Sequence, residues 1–129
     1  MNWTADELDR IDRQDELEIA ARRPDGSLRR PVIIWMVRDG DELYVRSVNG
    51  PDAAWYRGTR ARHEGQVSAG GVEKDVTFED VGGDLDDRLD AAYRSKYRRY
   101  SENTLRRITS PEARSTTLRL IPAVPATSA

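Results

Sequence analysis

Cysteine is missing altogether and histidine occurs once, at His63. Disulfides, cysteine-based zinc sites and cysteine nucleophiles are thereby excluded, and a single chain cannot assemble a multi-histidine metal centre. Lysine is nearly as scarce. Of 21 basic residues only Lys74 and Lys96 are lysines, so positive charge rests on arginine, whose fork of N–H groups suits carboxylate or phosphate. Neither sign of charge dominates: the net charge is −2 and the pI about 5.5, which creates no field for a nucleic-acid partner. No apolar run approaches the ~18 residues that span a bilayer, so no membrane partner is expected. The opening MNWTADELDR lacks the basic, apolar, small-residue order of a secretory leader, and a cytoplasmic location is the expectation.

What is present amounts to one domain. At 129 residues with 37 % apolar and 34 % charged side chains, the core must be small, yet a chain of this length buries enough surface to fold without staples. Thr4-Ala5-Asp6-Glu7 forms a capping box, which predicts a short helix to about Gln14 with Leu8 and Ile11 on one face and Trp3 as a hydrophobic staple. Leu17, Ile19 and Ala21 alternate with Glu16, Glu18 and Ala20 as a half-buried strand, ended by a turn at Pro24-Asp25-Gly26. Pro31 to Val37 (PVIIWMV) is apolar on both faces and reads as a central strand, the most buried segment of the chain. Asp39-Gly40-Asp41 turns it into a hairpin with Glu42 to Ser47, in which Leu43 and Val45 oppose Tyr44 and Arg46.

A loop from Ser47 to Asp52 follows, with Asp52 as N-cap of a short helix Ala53 to Gly58. Gln66 to Ala69 and Val72 to Phe78 form a second strand pair about Gly70-Gly71. The clearest helix starts near Asp84 and runs with apolar and aromatic residues spaced by three and four through Tyr100; its acidic first half and basic second half suit the macrodipole. Asn103 to Ile108 is a further helical piece broken by Pro111, and Ser115 to Ile121 a last strand. Residues 1–121 thus make one α+β domain of about six mostly antiparallel strands in a meander, with a long helix before the last strand and the sheet curled into a barrel. Residues 122–129, rich in Pro, Ala and Ser, read as a mobile tail.

Arg30-Pro31, the turn at Asp39-Gly40, Ser47, Asn49-Gly50 and Trp55-Tyr56 occur in an order that resembles the split β-barrel proteins, a group with pyridoxamine-phosphate-oxidase-like flavin proteins and deazaflavin-dependent nitroreductases. Over the whole chain, including AAYRSKY at Ala91 to Tyr97 and TTLRLI at Thr116 to Ile121, the sequence resembles an uncharacterised bacterial family of small proteins related to that group. The resemblance implies a split barrel and a flavin mononucleotide or deazaflavin coenzyme at a homodimer interface, serving oxidoreduction of a small organic molecule. Carried over by position, it implies Arg29 and Arg30 as phosphate contacts, Ser47, Asn49 and Gly50 as the loop around the ring or ribityl chain, and Trp55 as a wall. The residue chemistry agrees, since arginine offers paired donors to phosphate and glycine lets backbone approach a ligand.

Each of these residues also has a plainer reading. A strand-end arginine is commonly a solvated surface group, Asn-Gly commonly a tight turn, and Trp55 and Tyr56 commonly anchors of a core or subunit interface. His63 stands in a polar stretch with no geometric partner evident, whether as acid, base or haem ligand. Asp84, Asp86, Asp87 and Asp90 are explained by a helix first turn more simply than by a metal or glycosidase site. The rival to the redox reading is therefore a cofactor-free barrel that binds a small ligand or partner without catalysis.

Overall fold

The computed structural model describes residues 2–123. Helix α1 (Ala5–Asp12) is followed by β1 (Leu17–Ala21), β2 (Val32–Ile34), β3 (Met36–Asp39) and β4 (Glu42–Val45). Then come α2 (Ala54–Arg62), β5 (Glu64–Ala69), β6 (Val72–Asp80), α3 (Asp86–Lys96), α4 (Glu102–Ile108), α5 (Pro111–Arg114) and β7 (Leu118–Pro122). All strand pairs are antiparallel, in the order β2-β1-β5-β6-β7-β4-β3. The two end strands, β2 and β3, are separated in sequence by Trp35 alone, so the sheet must wrap until its edges meet and close into a nearly complete barrel.

Seven strands replace the expected six because PVIIWMV is divided. Val32–Ile34 pairs with β1 and Met36–Asp39 with β4, and no straight segment can satisfy both partners. The run is also not the most buried segment. Met36 and Val37 are buried, but Val32 and Ile34 are half-buried and Ile33 is 60 % exposed, because β2 is an edge strand. The meander fails as well, since β7 inserts between β6 and β4 and carries the chain end into the sheet. Pro122 is buried within β7, and Ala123 N donates to Asp75 O; the rest of the expected tail lies outside the described residues.

Alternation decides what lies inside. Met36, Leu43, Val45, Leu118 and Leu120 point into the barrel with Leu17, Ile19, Val67, Val76 and Phe78, and Leu8 and Ile11 of α1 complete that core. The capping box at Thr4 and Glu7 is formed, and Trp3 donates through Nε1 to Leu120 O at 2.9 Å, fixing α1 to the last strand. Val37 and Tyr44 point outward and are covered by Leu89, Tyr93 and Tyr97 of the α3 region with Leu105 and Ile108 of α4. Thus β4 is buried on both faces. Gly65 permits the tightest approach in the sheet: a Cβ there would lie 2.3 Å from Ala20 O and 2.7 Å from Phe78 Cζ.

Boundaries shift in three helices. α2 starts on Ala53 without a side-chain cap, so Asp52 does not cap it, and the helix runs past Gly58 to Arg62 with His63 in the left-handed region at its end. α3 stops at Lys96, leaving Tyr100 beyond it, and Pro111 opens α5 at its first position, where its missing N–H costs nothing.

Candidate functional site

Strand β4 delivers the chain to the site. Immediately past it Arg46 is buried, although the period-two pattern placed it outward: it does leave the barrel, but α3 and α4 cover it. Its Nε donates to Thr117 Oγ1 at 3.0 Å, and its Nη1 donates to Asp90 Oδ1 at 2.6 Å and to Ile108 O at 3.2 Å. The guanidinium also lies 5.4 Å from the Tyr93 ring centroid. Burial alone would raise the Asp90 carboxyl, but hydrogen bonds from Arg114 and Arg46 outweigh it and hold the group below its ordinary range. Burial pushes the Tyr93 hydroxyl far up. This cluster pins β4, α3 and the segment before β7 to one another and fixes where the next residues sit.

Ser47 N donates to Thr116 Oγ1 at 2.8 Å, and Ser47 O accepts from Gly50 N at 3.0 Å, so the chain turns sharply. Gly50 takes φ +76°, and a Cβ there would meet Glu112 Cβ at 3.1 Å. Only glycine closes this turn against α5. Beside the turn lies a cavity of about 340 Å3, within the size range of ligand pockets. Its apolar wall is Val32, Ile34, Trp35 and Trp55; its polar wall includes Ser47, Asn49, Thr104 and Arg107.

The rigidity of the apolar wall has a visible source. Trp35 stacks on Tyr97 with centroids 3.9 Å apart and planes 3° from parallel, and it also meets Tyr100 at 4.8 Å. The Tyr97 hydroxyl accepts from Met36 N at 3.2 Å and lies 2.7 Å from Asp15 O, tying the stack across the junction of β2 and β3. Trp55 stands in the first turn of α2, edge-on to Tyr56 at 6.1 Å. On the polar wall, Asn49 Oδ1 accepts from Arg107 Nη2 at 2.7 Å. Ser47 is 1 % exposed and its Oγ has no hydrogen-bond partner among the described residues, an unspent polar group of the kind a bound molecule satisfies.

Of the residues expected at a ligand site, Ser47, Asn49 and Trp55 line this one cavity; Arg29, Arg30 and Gly50 do not. Arg29 lies along α2, its Nε 2.9 Å from where a Gly58 Cβ would be, and its backbone N donates to Ala21 O. It packs rather than faces the cavity. Arg30 is exposed ahead of β2, and Gly50 shapes the turn without reaching the wall. His63 caps α2 with its Nε2 3.9 Å from Asp80 Oδ2, away from the cavity wall. Asp86, Asp87 and Asp90 of α3 form ion pairs with Arg46 and Arg114, and no cluster able to hold a metal exists among the described residues. Trp35, Arg46, Thr104, Arg107 and Ile108 were not anticipated at the site; α4 gave only a helical pattern.

A nearly closed antiparallel barrel with helices packed outside β3 and β4 is a split barrel. Solved structures share it at low identity, three of them as follows. The F420-H2-dependent reductase FDR-A is 14 % identical with a TM-score of 0.61, over 84 % of this chain and 94 % of that one. The haem storage protein HutZ from Vibrio cholerae is 12 % identical with a TM-score of 0.63, over 96 % and 92 %. An FAD-binding protein from Mesorhizobium loti is 17 % identical with a TM-score of 0.51, over 96 % and 93 %. In sequence, residues 7–120 match the family described as uncharacterized protein conserved in bacteria (DUF2255), and the chain belongs to that family. No curated protein matches it in sequence. Among the described residues no helix is long and apolar enough to cross a membrane.

Proposed function

We propose that the protein binds a flat heteroaromatic cofactor of the flavin or deazaflavin type in the cavity beside Ser47 and serves reduction or oxidation of a small organic molecule. The observation that carries this reading is the composition of the wall: two indoles, one of them locked by the Trp35–Tyr97 stack, together with the polar residues Ser47, Asn49 and Thr104. Aromatic faces favour a planar ring, and a few fixed polar groups orient it. The cofactor supplies hydride transfer when bound. The chain's own part is to place the ring between its aromatic and polar walls and to exclude water with Val32, Ile34 and Trp55.

A second copy of the chain fits the same reading. Ile33 is 60 % exposed on edge strand β2 and Val48 is 38 % exposed, and both border the cavity. Their burial against a partner would seal the mouth and remove apolar surface from water. A cofactor-free binding protein is the second reading. It is favoured by the titratable groups on the wall, Glu16, Arg46 and Arg107, of which Arg46 is already committed to Asp90 and Thr117.

Titration of the purified protein with flavin mononucleotide and with the deazaflavin coenzyme, followed by tryptophan quenching and by absorbance, tests the proposal. A dissociation constant below about 100 μM, roughly −5.5 kcal/mol, is expected for one of them. Trp55→Ala should weaken it about tenfold without changing the melting temperature by more than a few degrees. No affinity for either coenzyme overturns the proposal and favours the cofactor-free reading; binding without turnover of any reduced coenzyme keeps the cofactor site and overturns the redox role.

A further inference from the structure

The cavity does not end at Arg107. It adjoins a shallower bay of about 560 Å3 that shares Val48, Asn49 and Arg107 with it and is otherwise bordered by Asn103, Arg106, Ser110 and Glu112. We propose that this bay is an anion subsite in which Arg106 and Arg107 hold the phosphate end of the molecule whose flat part fills the cavity. The inference rests on the ligand-binding reading above and adds to it the chemical class of the tail and the residues that grip it.

The charge balance around α4 argues for it. Several flanking arginines already have acidic partners: Arg94 gives two hydrogen bonds to Glu102, at 2.9 and 3.0 Å, Arg99 is bound to Asp15, and Arg114 is bound to Asp90, while Arg98 is spent on the Ser95 carbonyl. Glu102 is the one acid on α4, and Arg106 acts on it only through space. Neither Arg106 nor Arg107 has a carboxylate within ion-pair distance among the described residues. Arg107 spends Nη2 on Asn49 Oδ1, a neutral acceptor that sets the guanidinium at the border of cavity and bay. Its remaining N–H donors, with all five of Arg106, have no acceptor within the described residues. Two guanidinium groups adjacent in sequence and left without counter-charge beside a pocket are a receptor for an anion with several oxygens.

One carboxylate opposes this field. Glu112 borders the bay, held there by α5 with its Cβ close against Gly50. It makes no ion pair among the described residues, so its charge bears directly on whatever enters. The pair of arginines outnumbers it, and its removal should tighten binding, a change opposite in sign to that of the arginine variants.

The test separates the tail from the ring. The full chain is titrated with flavin mononucleotide, with riboflavin, which has the ring but no phosphate, and with inorganic pyrophosphate, which has no ring, by tryptophan quenching and calorimetry at low and high salt. Flavin mononucleotide should bind at least tenfold more tightly than riboflavin at low salt, and the preference should shrink at high salt as the arginine charges are screened. In the double variant Arg106→Gln, Arg107→Gln the preference should fall to within about twofold, while Glu112→Gln should increase it. Circular dichroism and melting curves check that each variant is folded. A phosphate preference unchanged in the double variant overturns the subsite and leaves the cofactor reading intact. Arginine-dependent pyrophosphate binding with neither flavin bound supports the subsite and overturns the flavin form of the cofactor reading. Absence of binding by all three probes overturns the subsite and that flavin form together.

Discussion

Replacing Arg46 by methionine tests the structural premise of the site. The variant keeps the length of the side chain and removes the guanidinium, which is fully buried between Asp90, Thr117, the Ile108 carbonyl and the Tyr93 ring. Asp90, 15 % exposed, then keeps only Arg114, and the hydroxyl of Thr117 and the carbonyl of Ile108 lose their donor. Breaking a buried pair from one side costs about 3 to 5 kcal/mol, since the desolvation of the remaining charge is no longer offset. With an unfolding entropy of ~2.1 cal/mol/K per residue, a chain of 129 residues loses roughly 4 °C of Tm per kcal/mol, which gives a drop of about 11 to 18 °C. Thermal and urea melts of wild type, Arg46→Met, Asp90→Leu and the double variant measure it, and the cycle should return a coupling of at least about 1 kcal/mol. Acid adds a signature. The folded-state pKa of Asp90 lies below its unfolded value of about 3.9, so its contribution is complete above that pH and disappears as pH falls through the folded value. Wild type should therefore lose stability below about pH 4 more steeply than Arg46→Met. A loss under about 1 kcal/mol for Arg46→Met, the level of an exposed pair, would refute the account of a buried pin.

Two further outcomes follow from the packing. Gly65→Ala places a methyl group 2.3 Å from Ala20 O, inside the central β1-β5-β6 sheet, and should cost about 2 kcal/mol or more in urea at unchanged slope; a melting temperature within a degree or two of wild type would show that the strands can part there. Ile33→Asp puts a charge on the exposed β2 edge and should convert a dimer to a monomer in sedimentation velocity while leaving the barrel folded; a wild-type chain that sediments as a monomer at its highest soluble concentration removes the second copy from the site.

The elements legible in the sequence are those fixed by local chemistry. The capping box at Thr4 and Glu7, the glycine turn at Gly40 and the Gly70-Gly71 pair, both with positive φ, needed no tertiary information. The division of PVIIWMV did, because both halves are apolar and only their different partners, β1 and β4, force the break at Trp35. Gly58 looked like a helix end, yet it lies inside α2, where the missing Cβ makes room for Arg29. The same contact explains why Arg29, one of the two arginines that the resemblance assigned to phosphate, packs along α2. Ser47, Asn49 and Trp55 were readable as one site because a turn and the following helix are close in sequence. Arg106 and Arg107 were not, since basic residues on a short helix look solvated until the Val48–Asn49 turn is seen opposite them, 58 residues away from Arg107 along the chain.

The edge strands β2 and β3 each have one hydrogen-bonded neighbour, β1 and β4 respectively, so the barrel is stitched along its seam by side chains and by the single link at Trp35. Such a seam breathes more readily than the laddered wall opposite, and amide protons there should exchange with solvent sooner than those of β5 and β6. Because Val32, Ile34 and Trp35 are at once the seam and the cavity wall, each breath of the barrel is also an opening of the pocket. If the cavity holds a guest as proposed, the guest's residence time should lengthen with the strength of the Trp35–Tyr97 clasp.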